Sequence, residues 1–197
     1  VRDYANEAAK FSAYTELTTY YRDTYEREKP YLIGEADKIA KENDKKRKEF
    51  YKNFLNVHER LALYMKTLAV LAGDETFDIN KEIDTLTKRI NKFPEMGFDE
   101  KHVAACADIS KIIAKWAMSG KQQHAVRKMV TEGNEPLQTL LEGMSAVLRQ
   151  YRHTHDNERK EVLGLFEMEI ALPTIRRTGC FRPWPVFTSR RKNLSLK

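Results

Sequence analysis

What this chain of 197 residues has little of narrows it first. Glycine and proline number only eight and six. They stand singly at breaks in the hydrophobic pattern, so no glycine-rich phosphate loop is present. Valine, isoleucine and threonine do not cluster in alternating runs, which removes the strand pattern and leaves an all-α chain. No apolar run approaches the ~18 residues that suit a bilayer span. The best one, Leu61 to Leu71, carries Lys66. Cysteines number two, Cys106 and Cys180. Cys106 falls on the apolar face of a predicted helix, where a buried, inert thiol is the ordinary state. So few cysteines leave the redox compartment open.

Acid is missing from one place. Residues 176–197 hold seven basic side chains and no Asp or Glu. Of 35 basic residues, 28 therefore remain to face 29 acids in residues 1–175. The body is near neutral, and the pI near 9.2 says nothing about nucleic acid or anionic lipid binding by it.

Paired metal-ligand motifs are missing too. A helical bundle holds di-iron through Glu-x-x-His on two helices. Three residues before His58, His102, His124, His153 and His155 stand Leu55, Asp99, Lys121, Gln150 and Arg152. Only Asp99 comes near, and it is wanted as a helix cap. His102 and Cys106 share a helical face at zinc spacing, but no second His/Cys pair completes a site. Ser145 lies mid-helix, without the strand–turn–helix setting of a nucleophile elbow. The reading is of no enzyme, no cofactor and no metal.

What is present is helix. From Glu35 to Ala72, apolar residues recur at three and four: Ala36, Ala40, Phe50, Phe54, Val57, Leu61, Tyr64, Leu68, Leu71. That 3.5-residue seam predicts one long helix packed along near-parallel neighbours, as in a coiled coil. The seam breaks at Asn43 and Arg47, inside the charged run Lys41–Glu49, which reads as a solvated hairpin tip. Before it, residues 2–29 predict a first helix with the stripe Phe11, Tyr14, Thr18, Tyr21, Tyr25. Pro30 and Gly34 then turn the chain into an antiparallel hairpin. The first helix is about ten residues shorter than the second. The chain also begins with Val1 rather than Met. An upstream continuation of the first helix is expected, or another segment that covers the overhang.

After Gly73, Asp78 caps a short connector helix with the seam Ile79, Ile83, Leu86, Ile90, Phe93. Asp99 caps the next helix, with Val103, Cys106, Ile109, Ile113, Trp116 inward. This helix is expected to run on through Gly120 to Val130, kinked or interrupted at Ser119-Gly120, and Gly133 ends it. Asn134 and Pro136 begin the last one, with Leu137, Leu140, Leu141, Met144, Leu148, Tyr151 inward, and Pro173 closes it. The prediction is an elongated antiparallel up-and-down bundle over residues 1–173, four long helices plus a short connector. Residues 174–197 form a basic irregular tail. It reads either as a basic-aromatic arm for membrane surface or nucleic acid, or as an aberrant, frameshifted end.

Tyr4, Tyr14, Tyr20, Tyr21 and Tyr25 put five of the nine tyrosines on the first helix. Tyrosine suits half-wet surfaces, so Tyr14, Tyr20, Tyr21 and Tyr25 are the candidate partner-binding residues. A bundle edge stabilised by amphipathic rings is the plainer account.

The stretch Tyr20-Tyr21-Arg22-Asp23-Thr24-Tyr25-Glu26-Arg27-Glu28-Lys29-Pro30-Tyr31-Leu32, with Leu71-Ala72-Gly73-Asp74 and Pro136-Leu137-Gln138, resembles a group of proteobacterial helical proteins of exported or lipoprotein type. The resemblance covers roughly residues 1–172 and departs at the tail. It implies a lost export signal and a periplasmic or outer-membrane-anchored location, and no activity. The function expected is a non-catalytic structural or protein-interaction module of the bacterial cell envelope. It would bind a protein partner or a second copy through the first helix. Binding of a membrane surface or nucleic acid through the tail is the alternative, nucleic acid being the less expected.

Overall fold

The computed structural model describes residues 1–10, 12–73, 83–117 and 123–171. Phe11, Asp78, Ile79, Ser119, Gly120, Pro173, Cys180 and the tail 174–197 lie outside them. The fold is all-α. In chain order the helices are α1 (Arg2–Ala9), α2 (Ala13–Arg22), α3 (Thr24–Glu28), α4 (Glu35–Leu71), α5 (Ile83–Thr87), α6 (Glu100–Ala117) and α7 (Gln123–Ala171). The chain divides into two compact units, Val1–Arg159 and Lys160–Lys197. α7 contributes to both, and the buried core belongs to the first.

α4 is the scaffold, and it forms where the seam predicted. Gly34, at φ 64°, sets its start in a conformation that other residues rarely adopt. Phe50, Phe54, Val57, Tyr64, Leu68 and Leu71 are all buried. Ala36 is exposed and Leu61 half-buried. Interleaved with them, the polar Asp44, Arg47, Asn53, Arg60 and Thr67 are buried as well. The run Lys41–Glu49 is thus no free solvated tip: Asp44 and Arg47 turn inward.

The first helix is not one piece. It is divided into α1, α2 and α3, and a 3₁₀ turn at Lys29–Tyr31 leads to α4. The hairpin is antiparallel as expected. Tyr14 meets Phe54 and His58, Thr19 meets Tyr51, and Tyr25 meets Asp37. The far end of α4 is covered by α1. Ala5 is fully buried among Leu68, Ala69 and Leu71, so the described chain itself fills the overhang. Arg27 ties α3 to α7. Its Nε and Nη2 donate to the two carboxylate oxygens of Glu158 at 2.7 and 3.0 Å.

From residue 83 on, the connector returns along α4, and it is α-helical only at its start. α5 has five residues. From there Lys88 lies beside Glu59, Asn91 beside Asn53 and Glu95 beside Lys46. Two buried α4 side chains hold this limb. Arg60 Nη2 donates to the carbonyls of Thr85, Leu86 and Lys88 at 3.1, 3.2 and 2.8 Å, a cation on the carbonyl end of α5. Asn53 exchanges two hydrogen bonds with the backbone of Asn91, at 3.0 and 2.7 Å. Ile90 and Phe93, expected on a helix, lie instead in this non-helical limb. Phe93 and Phe98 pair their backbones across the turn Pro94–Met96, closed by Gly97 at φ 74°.

α6 then runs antiparallel to α7, with Lys101 beside Glu142 and Lys115 beside Glu132. Asp99 caps α6 by accepting from Lys101 N–H at 3.1 Å, and His102 Nδ1 accepts from Asp99 N–H at 3.0 Å. This is a capping box with histidine in the place of Glu or Gln. The break expected at Gly133 and Asn134 does not exist, and α7 continues through Pro136. Gly133 is instead where the Tyr64 ring lies against the helix. The up-and-down order therefore holds, with the connector as its third limb and a segmented first limb.

Candidate functional site

The four predicted tyrosines do not share one exposed face. Tyr14, Tyr21 and Tyr25 fall, with Thr18, on the i, i+4, i+7, i+11 stripe that faces α4 and α7. Tyr21 and Tyr25 are buried, and Tyr14 is half-buried. Tyr21 stacks on Tyr151 with centroids 4.3 Å apart, and Tyr25 donates to Asp37 Oδ1 at 2.9 Å. Only Tyr20 of the four is exposed, at 45%. Its face carries the Arg27 guanidinium at 3.6 Å, and its edge meets His155 at 5.9 Å. Leu17, one turn earlier, is exposed beside it.

Tyr21 also walls a cleft of about 520 Å³ between α4, the connector turn and α7. Phe50 from α4 and Phe93, Pro94 and Met96 from the turn give it apolar sides. Gln150 and Thr154 face it from α7, and Lys46, Arg47 and Lys92 bring positive charge. The turn is held in place from two sides. Asn53 grips Asn91 from α4. At Gly97 a side-chain Cβ would come within 2.9 Å of Ala146 Cβ, so glycine lets the turn lie close on α7.

Arg47 is the unusual member. It is only 9% exposed, and its Nε and Nη2 have no hydrogen-bond partner. The guanidinium carbon stands 5.8 Å from the Tyr21 ring centre. Burial raises the Tyr21 phenol above its ordinary pKa, against the pull of Arg47 and of a hydrogen bond with Thr154. Asp44, one turn before Arg47, accepts from Lys48 Nζ at Oδ2, at 2.6 Å, and its Oδ1 is unpaired. Sequence reading passed Arg47 by as part of a charged tip. The signal was there, because Ala40, Arg47, Phe54, Leu61 and Leu68 are seven apart, which puts Arg47 on a core position of the seam.

Several other reactive side chains are buried or bonded within the fold, although His102 Nε2 has no partner. Burial pushes the Cys106 thiol up to about 12, with Arg60 nearby acting against it. Ser110 and Ser145 donate to the carbonyls four residues back, at 2.9 and 2.8 Å. His102 stacks on Phe98 and is 3% exposed. Among the described residues no three His, Cys, Asp or Glu side chains gather as a metal set, and no helix is long and apolar enough to cross a membrane. We expect Cys106, in a Cys180→Ser chain, to stay unmodified by a thiol reagent at pH 8 while folded. It should react once urea unfolds the chain; prompt reaction in the folded state would contradict its burial.

Carboxylates at the helix edges set the acid limit of the fold. The Arg22 fork holds Asp23 below the ordinary 3.8, and Lys41 with Tyr25 does the same for Asp37. Lys115 and Trp116 hold Glu132 below 4.5. A depressed folded value means stability that is fully present above the ordinary value and is lost as pH falls through the folded one. The urea midpoint should therefore be level from about pH 7 to 5 and fall below about pH 4. Salt should flatten that fall, because these pairs are solvent-exposed. A midpoint that rises on acidification would contradict these pairings.

No family model, no curated protein and no solved structure matches the chain.

Proposed function

We propose that the chain is a non-catalytic helical-bundle module of the bacterial cell envelope that works by binding a protein partner, which includes a second copy of itself. One observation carries the non-catalytic part. Four candidate nucleophiles or bases, Cys106, His102, Ser110 and Ser145, are buried or bonded close to their own helices, which supports that reading. The envelope location rests on the resemblance of the Tyr20–Leu32 stretch. For the partner surface, the exposed pair Leu17 and Tyr20 on α2 is favoured over the buried Tyr21 and Tyr25. Apolar and aromatic side chains exposed side by side, with an arginine held over the ring, are common in protein interfaces.

The test places a photoreactive phenylalanine derivative at Leu17 of the full chain, in the cells that make it. The same substitution at the exposed Lys45 serves as control. Adducts from Leu17 alone are the expected result. No adduct from Leu17, or the same adducts from both positions, would contradict this surface.

A further inference from the structure

Arginines in this chain show what their side edge is for. In Arg27 the Nε and Nη2 donors hold both oxygens of Glu158, and in Arg22 the same two donors hold Asp23 at 2.6 and 2.9 Å. Nε and Nη2 point the same way along the planar guanidinium, and the gap between them matches a carboxylate. The buried Arg60 is bonded through Nη2 to three carbonyls, and its Nε is without a partner. In Arg47 it is the Nε and Nη2 pair that has no partner, on a side chain more than nine-tenths buried. Two guanidinium donors kept from water without a hydrogen-bond partner are a costly arrangement. Here they sit at a cleft whose volume, about 520 Å³, is that of a small-molecule site.

We propose that this cleft binds a small monocarboxylate with an apolar or aromatic body. The carboxylate takes the Nε/Nη2 fork of Arg47, and the body lies against Phe50, Phe93 and Met96. A single negative charge fits the electrostatics. Lys46 and Lys92 already hold Glu95 and Glu100, which leaves Arg47 and Glu49 as the unpaired charges of the cleft lining. With Glu49 opposing a second negative charge, a monocarboxylate on Arg47 suits the cleft better than a phosphate dianion. The Tyr21 phenol donates weakly to Met96 Sδ at 3.5 Å. Arg47 Nε and Nη2 are covered in the ligand-free chain, so binding requires a side-chain rearrangement at the cleft wall, which the adaptable Met96 can supply. The internal competitor is Asp44, whose Oδ1 is unpaired one turn away.

The full chain is titrated with benzoate, and separately with benzamide and inorganic phosphate at equal ionic strength. Arg47 Nε–H and the Met96 methyl are followed by NMR. Benzoate should shift both signals saturably, and the other two probes should not. Arg47→Lys keeps the charge without the fork and should weaken benzoate by about tenfold or more. Arg47→Gln should abolish the response. The wild-type titration stands by itself if either variant fails to fold. An absent benzoate response at about 10 mM, an equal response to benzamide, or a response to phosphate alone overturns the proposal. So does a response that appears only in Asp44→Asn, because Asp44 would then fill the fork itself.

Discussion

Phe54→Ala should lower the unfolding free energy by about 3–5 kcal/mol, the usual range for a large aromatic lost from a core. Phe54 is 1% exposed, and its ring meets Phe50, Tyr14 and Tyr151 at 5.4, 6.2 and 6.2 Å. Those partners belong to α4, α2 and α7, so one truncation opens a void where three limbs meet. Neighbours on separate helices cannot all collapse into it, which keeps the cost high. Urea unfolding of the variant against wild type measures this directly. A loss below about 1 kcal/mol would mean that α2 and α7 do not close on α4 at this level.

Gly133→Ala should destabilise by about 2 kcal/mol, as overpacking does. Elsewhere in a helix the same change stabilises by about 1 kcal/mol. The added methyl would fall on the Tyr64 hydroxyl and within 2.8 and 2.9 Å of two further atoms of its ring. Tyr64 cannot retreat: it is 2% exposed, and its hydroxyl donates to the Met129 carbonyl at 3.2 Å. In a Tyr64→Leu background the glycine change should cost much less than in wild type. The difference is the contact energy between the two positions. A stabilising Gly133→Ala would show that α4 and α7 stand further apart than this ring contact requires.

These two sites also show how far the sequence carries. Phe54 was legible, because a 3.5-residue seam has one physical solution, a helix laid along others. The same logic placed α4 almost to its ends and named the inward face of α6, including Cys106 and Ile109. Gly133 misled. A glycine followed by Asn134 and Pro136 reads as stop and restart, but a glycine against a neighbouring ring permits close approach, and the helix continues. Pro136 gives up one backbone hydrogen bond within a 49-residue helix, and burial on either side outweighs that loss. The connector misled through period as well. Ile90 and Phe93 face inward at helix-like spacing, but their limb is held by Asn53 and Arg60 rather than by its own backbone ladder. The tyrosine stripe Tyr14–Tyr21–Tyr25 was legible as a seam, and the seam reading outweighs the partner-surface reading for Tyr21 and Tyr25. Arg47 was legible as a break in the seam, but charge was read as solvation, so its burial at that core position was missed.

Polar groups inside this bundle hold its limbs together, and of the two buried arginines among the described residues, Arg47 alone has an empty fork. The ¹H–¹⁵N spectrum of arginine side chains in the ligand-free chain tests this most directly. Arg22 and Arg27 supply carboxylate-bonded references in the same molecule. Arg47 Nε–H should resonate upfield of both, because it lacks a charge-assisted bond, and Asp44→Asn should leave it in place. An Arg47 Nε–H as far downfield as that of Arg27, returned upfield by Asp44→Asn, would mean the fork is filled from within.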